Sequence, residues 1–539
     1  MLIAYSEYGI IEKLFEKGAE KEQARLFEAL KEAGVINTKV KPLKKKAWHG
    51  RKIRLTLKDM GLIADQYMLN YTQGAITKTW KALIEAKTEA EIQNIYFRVI
   101  YNLETRKKND TYIFRPIPFI IKIILELEEL GKEAYISQHE FALVVQNYRK
   151  EYKTIDYVDE IIGLRESAKL NKGKLRKFFK PLYEKLSRES SLAVSSVRSD
   201  YPDVTMRLLK LSGIFIEKGR GIKINPQYSG ELIRILSDES TVSKDRESYY
   251  SKISNFPPIP LDREKSLLVR VVKENFRKIA KETPLKEPNY DQSSQKLELI
   301  RVAQDDQIKK LDEEAFAKEQ KNKTEVILKW FHRLNNKKNE VYEDEFISFD
   351  SDERPQYLEW VIWRAFLSIN FINNKPYESR KFRIDSNFKP INHAPGGTPD
   401  LVFEFDSFVL VVEVTFLTSS RQTALEGEPV VRHVADIASE FKKPTFCLFI
   451  APKFDINTLK VYRESNVWIY EKNGNEIEQE ANIIPLSLDN FREFFEKIPK
   501  SSPSNPDLIF SILEDSRKNI SLTNREWEKF IKNKFLESV

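Results

Sequence analysis

At 539 residues the chain has room for three to four domains of ordinary size, and its 89 basic against 81 acidic residues leave a formal net charge of +8, compatible with a polyanionic partner. No run approaches the roughly 18 to 20 apolar residues of a membrane-spanning helix. A single cysteine, Cys447, excludes a disulfide framework or a thiolate zinc site within one chain and points to a reducing cytoplasm.

The first segment, MLIAYSEYGIIEKLFEKG, mixes acids with apolar residues and lacks the hydrophobic stretch of a secretion signal, so a soluble, cytoplasmic protein is expected. Residues 1–105 read as helices around a short strand pair near Lys52 to Leu57, closing on a helix near Ile92 to Leu103. Between Thr38 and Lys58 lie nine Lys or Arg and no acid, interleaved with Trp48, His49 and Gly50. Lys44, Lys45, Lys46, Arg51, Lys52 and Arg54 are candidate phosphate contacts there; the plainer reading is a solvated basic loop. Thr105 to Asp110 is a charged break, and helical patterns dominate from Tyr112 to about Leu236. They are interrupted by an alternating hairpin, Ile214 to Glu217 and Ile222 to Ile224, with Lys218-Gly219-Arg220-Gly221 at its turn. A helix over about Asp203 to Ser212 followed by such a hairpin is what a winged helix requires. In that module Arg207 and Lys210 are candidates for the major groove, and Lys218, Arg220 and Lys223 for backbone phosphate; the alternative is a structural hairpin with solvated lysines. The prolines of SKISNFPPIPLD, Ser251 to Asp262, suggest a stiff hinge, and residues 263–337 become strongly helical and charged, as a connector would be. The expected divisions are therefore 1–105, 106–240, a helical linker over 241–340, and 341–539.

The stretch from His393 to Pro452 carries the chemistry. Two apolar runs are joined by Asp406-Ser407, the first preceded by Pro399-Asp400 and the second ending in Glu413-Val414-Thr415. Antiparallel pairing about a two-residue turn sets 405 opposite 408, 403 opposite 410 and 400 opposite 413. Asp400 and Glu413 are then neighbours, with Cβ atoms roughly 4.5–5.5 Å apart, close enough to share one divalent cation such as magnesium. Leu401, Phe403, Phe405, Phe408, Leu410 and Val412 would form an apolar face opposite the acids. On spacing alone, an exposed hairpin with solvated acids is the competing reading. Thr415 points to the acids' side. A polar loop follows, then Glu426 and a helix opened by Pro429 and running to about Phe441, with Arg432 and His433 in its first turns. Lys443-Pro444 stops that helix, and TFCLFIAP reads as a strand buried on both faces, so the order implies a crossover unit. Upstream, Gln356 to Phe371 reads as an amphipathic helix whose lone acid, Glu359, is either a solvated edge residue or a third acid of the site. After Pro485, FREFFEKI and REWEKFIKNKF look like helices packing on the sheet.

These motifs in this order, Glu359 on its helix, His393-Ala394, Pro399-Asp400, Glu413-Val414-Thr415, Glu426, Glu428-Pro429, Arg432-His433 and Cys447 to Pro452, resemble the AlwI family of type IIS restriction endonucleases. The match is densest over residues 355–455, and residues 206–236 are similar to the winged-helix module of that family's recognition half. The resemblance implies a multidomain α+β chain: two DNA-recognition subdomains, a helical linker and a C-terminal α/β domain of the PD-(D/E)XK nuclease superfamily. It implies a magnesium-dependent enzyme that cuts double-stranded DNA at a fixed distance from a short asymmetric site, within a restriction-modification system that includes a cognate DNA methyltransferase. Position by position, the catalytic residues are Asp400, Glu413, Glu359, Glu426 and His433, with Asp400, Glu413 and Glu359 on the metal. The lysine common in the wider superfamily is replaced by Thr415, which leaves open whether Glu426 or His433 orients the water. A single-strand nicking enzyme, or a DNA-binding regulator with an inert nuclease domain, are the alternatives; a transient homodimer or a second nuclease subunit would serve double-strand cutting.

Overall fold

A computed structural model of the chain describes residues 20–32, 42–64, 76–106, 113–147, 149, 153–171, 175–228, 230–238, 242–335, 353–369, 371–465, 467–472, 475–500 and 502–539. Thr38 to Lys41 of the basic stretch, the N-terminal segment and the start of the expected 341–539 division lie outside these residues. The chain forms two compact units, one up to Ile308 and one from Lys309.

In the first unit, helices α1 (Glu20–Glu32) and α2 (Leu43–Asp59) pack along their lengths. Lys52 to Leu57, expected as a strand pair, is instead the second half of α2. The alternation of Ile53, Leu55 and Leu57 mimics a strand. Ala47, Gly50 and Leu57, however, form a buried helical stripe, and this docking overrides the local pattern. Gly50 is the point of closest approach: a Cβ there would sit 1.8 Å from the backbone oxygen of Gln23.

Helix α3 (Glu89–Tyr101) begins at a reciprocal cap. The Thr88 hydroxyl accepts from the Glu91 amide at 3.2 Å, and the Glu91 carboxylate accepts from the Thr88 amide at 3.0 Å. Helix α4 (Pro116–Glu129) is apolar almost all round and is accordingly enclosed, with Ile117, Ile120, Ile121, Ile123 and Leu127 at the centre of the core. The expected helix and hairpin follow as α5 (Tyr201–Leu211), β1 (Phe215–Lys218) and β2 (Gly221–Ile224), paired antiparallel across Gly219, whose φ is 54°. Helix α6 (Ser294–Glu319) crosses the division between the units.

The second unit surrounds a four-stranded sheet. Helix α7 (Arg354–Leu367) is shorter than the expected Gln356 to Phe371, and Phe371 lies beyond it at φ 80°. The strands are β3 (Leu401–Glu404), β4 (Val409–Val414), β5 (Thr445–Ala451) and β6 (Asn482–Ser487), in the order β6-β5-β4-β3. The β3–β4 pair is antiparallel in the register read from the sequence, with Leu401 opposite Val412 and Phe403 opposite Leu410. Strands β4, β5 and β6 run parallel, and helix α8 (Glu428–Glu440) makes the crossover between β4 and β5. Helices α9 (Leu488–Lys497), α10 (Asn505–Lys518) and α11 (Asn524–Glu537) share the sheet's core cluster. Unlike the expected division into an acidic and an apolar face, β4 is buried on both sides, since Val409 and Val411 are as enclosed as Leu410 and Val412. Helices cover both faces of a parallel sheet, so strand residues of either parity go inside. Cys447, in the middle of β5, is fully buried, and burial pushes its thiol pKa well up.

One buried network in the first unit is a sensitive point. Arg301 on α6 is wholly enclosed, with Nη2 and Nε each 2.8 Å from Glu298, Nη1 2.6 Å from Asp305, and its guanidinium 4.0 Å over the Tyr228 ring. Arg301→Met leaves those buried carboxylates stripped of this cation and is expected to cost about 3–5 kcal/mol. Denaturant unfolding followed by circular dichroism checks it, and a variant as stable as the parent contradicts it.

Candidate active site

The sheet register brings the acids together. Asp400 lies one residue before β3, where its backbone oxygen accepts from Lys381, and its carboxylate Oδ2 accepts from the Val414 amide across the ladder at 2.8 Å. Glu413, at the end of β4, projects to the same side, and the two carboxyls lie within hydrogen-bonding reach. Beyond Val414 the chain leaves the sheet. Thr415 accepts from the Leu417 amide at 3.2 Å, and its hydroxyl faces Glu426 closely enough to favour that carboxylate's ionised form against burial. Glu426 sits in a wide helical turn, Thr423–Gly427, running directly into α8, rather than in an open loop. That places His433, one turn into α8, with Nδ1 2.8 Å from Glu413 Oε1. Glu359 is on the inner side of α7, 5% exposed, and its Oε2 accepts from the Ala394 amide at 2.8 Å. Glu359, Asp400, Glu413, Glu426 and His433 are thus one connected group.

One support, Gln422, was not singled out from the sequence, and another, Ala394, was named there without this role. Gln422, fully buried, donates to Leu417 O at 2.7 Å and Lys453 O at 3.0 Å and accepts from the Asp455 amide at 3.0 Å, pinning the loop that carries Thr415 and Glu426. The Ala394 amide anchors Glu359. A glutamine inside an otherwise polar loop gave no signal, and a backbone donor leaves none in a sequence.

The electrostatics express crowding without compensation. Burial first, and the Asp400 charge second, push Glu359 up to about 9, against the opposing Ala394 amide. Asp400 is raised well above its ordinary value by enclosure of its carboxyl and by Glu413, although the residue keeps part of its surface open. Glu413 is likewise raised well above, by burial and then by Glu426, and burial raises Glu426 as well. His433 is lowered by burial and next by Arg432, so it is neutral near pH 7. With Glu413 ionised, His433 donates through Nδ1, and its buried Nε2, which has no partner among the described residues, is left as an acceptor. Among the described residues, no lysine or arginine forms an ion pair with any of these four carboxylates.

The donor set suits a hard divalent cation: oxygen ligands, partly enclosed, and crowded so that their ionisation is disfavoured until a cation relieves it. Among the described residues no three His, Cys, Asp or Glu side chains converge as a ready cage. Magnesium usually takes only one or two protein carboxylates and completes its shell with water and substrate oxygens, so the Asp400 and Glu413 pair is sufficient and Glu359 is the third candidate.

The remaining candidates lie in the first unit. On α2, Lys44, Lys45, Arg51 and Lys52 are exposed, while Lys46 turns to an ion pair with Glu28 and Arg54 is half-buried. On α5, Arg207 is exposed and 2.5 Å from Asp203, whereas Lys210 bends back to Glu217 of the hairpin. Lys218 pairs with Glu133 at 3.1 Å and lies over the Tyr135 ring, Arg220 is exposed at the turn, and Lys223 is half-buried.

The raised Glu359 makes a stability prediction. A carboxyl whose folded pKa lies near 9, above its unfolded value, stabilises fully below the unfolded pKa of 4.5, and that stability is lost as pH rises through 9. In EDTA, Glu359→Gln, which keeps an acceptor for Ala394, is therefore expected to be more stable than the parent at pH 8 by at least about 1.4 kcal/mol, the worth of one pKa unit. The advantage should disappear below about pH 4.5. Melting curves at the two pH values decide it; equal stability at pH 8 contradicts the buried-acid assignment.

Comparisons with known proteins bear on the whole arrangement. Among solved structures, the chain is similar to the small subunit, R.BspD6I2, of the heterodimeric restriction endonuclease R.BspD6I: 20% identity, covering 40% of this chain and 97% of that one, at a TM-score of 0.30. It is also similar to the BpuJ1 endonuclease binding domain solved with pyrene- and phenanthrene-modified DNA: 13% identity, 47% of this chain and 91% of that one, TM-score 0.29. No curated protein matches. The family model described as AlwI restriction endonuclease matches residues 58–494, about four-fifths of the chain and including every acid of the cluster. The chain belongs to the AlwI restriction endonuclease family and is a site-specific deoxyribonuclease.

Proposed function

We propose that the chain is a type IIS enzyme that hydrolyses DNA phosphodiester bonds with magnesium, outside a short asymmetric site read by its N-terminal half. The observation that carries the catalytic part is the gathering of Asp400, Glu413, Glu359 and Glu426 with His433 at one end of the sheet, without a basic ion-pair partner among the described residues. Asp400 and Glu413 would hold the ion, with Glu359 completing the set, in a nuclease unit of the PD-(D/E)XK kind. When bound, magnesium supplies positive charge against that building on the phosphate.

The chain's own residues do the rest. Glu426, beside Thr415, and the Nε2 of His433, unpartnered among the described residues, are the groups able to hold the attacking water and take its proton. Thr415 supplies a hydrogen bond where the wider superfamily commonly carries a lysine's charge. Attack on phosphorus breaks the bond to the 3′ oxygen and leaves a 5′-phosphate and a 3′-hydroxyl. DNA is the partner; a methyltransferase protecting the host's copies of the site would accompany such an enzyme.

Recognition is assigned to the first unit, where α5 and the β1–β2 hairpin form a winged-helix-like module. Arg207 is the groove candidate, and Lys218, Arg220 and Lys223 line the wing. Lys210, tied to Glu217, contributes to the module's own rigidity. One cluster of this kind per chain cuts one strand, so double-strand cleavage needs a second chain or a second binding event.

Asp400→Ala and Glu413→Ala are each expected to lower cleavage of mixed-sequence DNA by about a thousandfold or more, while DNA affinity in EDTA stays within a few fold of the parent. Discrete fragments from the parent, sequenced at their ends, give the site and the offset together. A folded parent that binds DNA and never cuts with magnesium contradicts this reading in favour of a DNA-binding regulator; cuts confined to one strand identify a nicking enzyme.

A further inference from the structure

The outward face of α2 is strongly basic. At 100° per residue, Lys44, Trp48, Arg51, Lys52 and Lys45 fall within about one third of the helix circumference. All five are exposed, and between Lys44 and Lys52 the helix carries no acid; Asp59, at the far end of α2, is the one acid that shares the arc. None of the four cations forms an ion pair with an acid among the described residues, in contrast to Lys46, which pairs with Glu28, and Lys58, which lies 3.7 Å from Asp59. Trp48 is at the middle of the arc, 49% exposed, with Lys52 Nζ 5.5 Å from its ring.

The indole is held rather than loose. It meets the His49 ring edge-on at 4.9 Å, and His49 stacks on Phe27 of α1 at 5.3 Å, with Phe27 buried at 1% exposure. Gly50 lets α2 settle onto α1 at van der Waals contact, so the opposite face is turned outward in a fixed orientation. A lone exposed aromatic residue is unremarkable on a protein surface. One anchored by a chain of rings to the core and flanked on both sides by cations is suited to a polyanion that also offers apolar surface. Lys44 and Lys52 are eight residues apart, about 12 Å along the axis, comparable with the width of the major groove of B-DNA.

We propose that this face is a duplex-DNA docking surface: Lys44, Lys45, Arg51 and Lys52 meet backbone phosphates on either side, and the Trp48 indole makes the central apolar contact against sugar and base. The inference rests on the endonuclease reading above and names where on the first unit DNA sits. Lys46 and Arg54, on the other side of α2, are not part of it. The cations supply attraction that weakens with salt, whereas the indole supplies a contact that does not. Its pre-set orientation spares the ordering cost of a mobile side chain.

The test uses the full chain in EDTA and a fluorescein-labelled, mixed-sequence duplex of about 30 base pairs, with anisotropy titrations between about 50 and 200 mM KCl. W48A is expected to weaken binding about tenfold at each salt concentration while leaving the slope of log K against log[KCl] unchanged, and W48F to recover most of the loss. K44A, K45A, R51A and K52A are each expected to reduce that slope by about 0.9. K180A, an exposed lysine on another helix of the same unit, should change neither quantity. Circular dichroism verifies that the variants are folded. Binding by W48A within twofold of the parent overturns the role of the indole, and a parental slope in the quadruple Lys/Arg variant overturns the surface. Cleavage by the parent with magnesium is measured alongside. If the parent cuts while the α2 variants bind undiminished, the surface is wrong and the nuclease stands; if binding falls as expected and the parent never cuts, the surface stands and the nuclease reading fails.

Discussion

Enclosing one ionised carboxylate costs several kcal/mol unless a partner relieves it. At the end of β4 four carboxyls are gathered, and no Lys or Arg ion pair among the described residues offsets them. That crowding, which only protons or a bound cation can relieve, is the constraint on the C-terminal unit. It explains why Glu359 and Asp400 are held by neutral donors, the Ala394 and Val414 amides, and why, among the described residues, the basic side chain bonded to Glu413 is a histidine whose pKa burial lowers. Neutral donors orient a carboxylate without cancelling its charge, so the site keeps its appetite for a cation. A lysine in the place of Thr415 would have satisfied part of it internally.

The hairpin was the most legible part of the sequence, because a two-residue turn fixes every facing pair, and a one-residue slip would have moved Phe403 and Leu410 to the opposite face of the sheet. The crossover was legible for a related reason: Pro429 opens α8, Lys443-Pro444 ends it, and an unbroken apolar run can only be an inner strand. What failed was judgement of burial. The alternation of β3 and β4 suggested one acidic face, yet Val409 and Val411 are fully enclosed, since the layer of helices that covers them comes from distant parts of the chain. Likewise Ile53, Leu55 and Leu57 carry a strand's rhythm within a helix, and only the close approach at Gly50 shows which periodicity governs.

Glu359 marks the boundary between what spacing can reveal and what it cannot. On a helix with Trp360, Val361, Ile362 and Trp363 it looked like a polar edge, and its position toward Asp400 came from the family resemblance. Its partner is a backbone amide from a loop 35 residues downstream, which no side-chain pattern announces. Gln422 was missed in the same way, although its three hydrogen bonds tie the loop before Glu426 to the segment 453–455. Residues that bind a ligand are chosen for their chemistry and advertise it; residues that hold them are chosen for reach, and reach is visible only in three dimensions.

The solitary thiol of Cys447 has a practical corollary. Walled into the middle of β5 and disfavoured as a thiolate, it should stay inert toward maleimides and iodoacetamides while the chain is folded. A cysteine introduced on any exposed helix would then be the only group to react, so dyes, spin labels or photo-crosslinkers could be attached at single chosen points without first stripping the native sulfhydryl from the sheet.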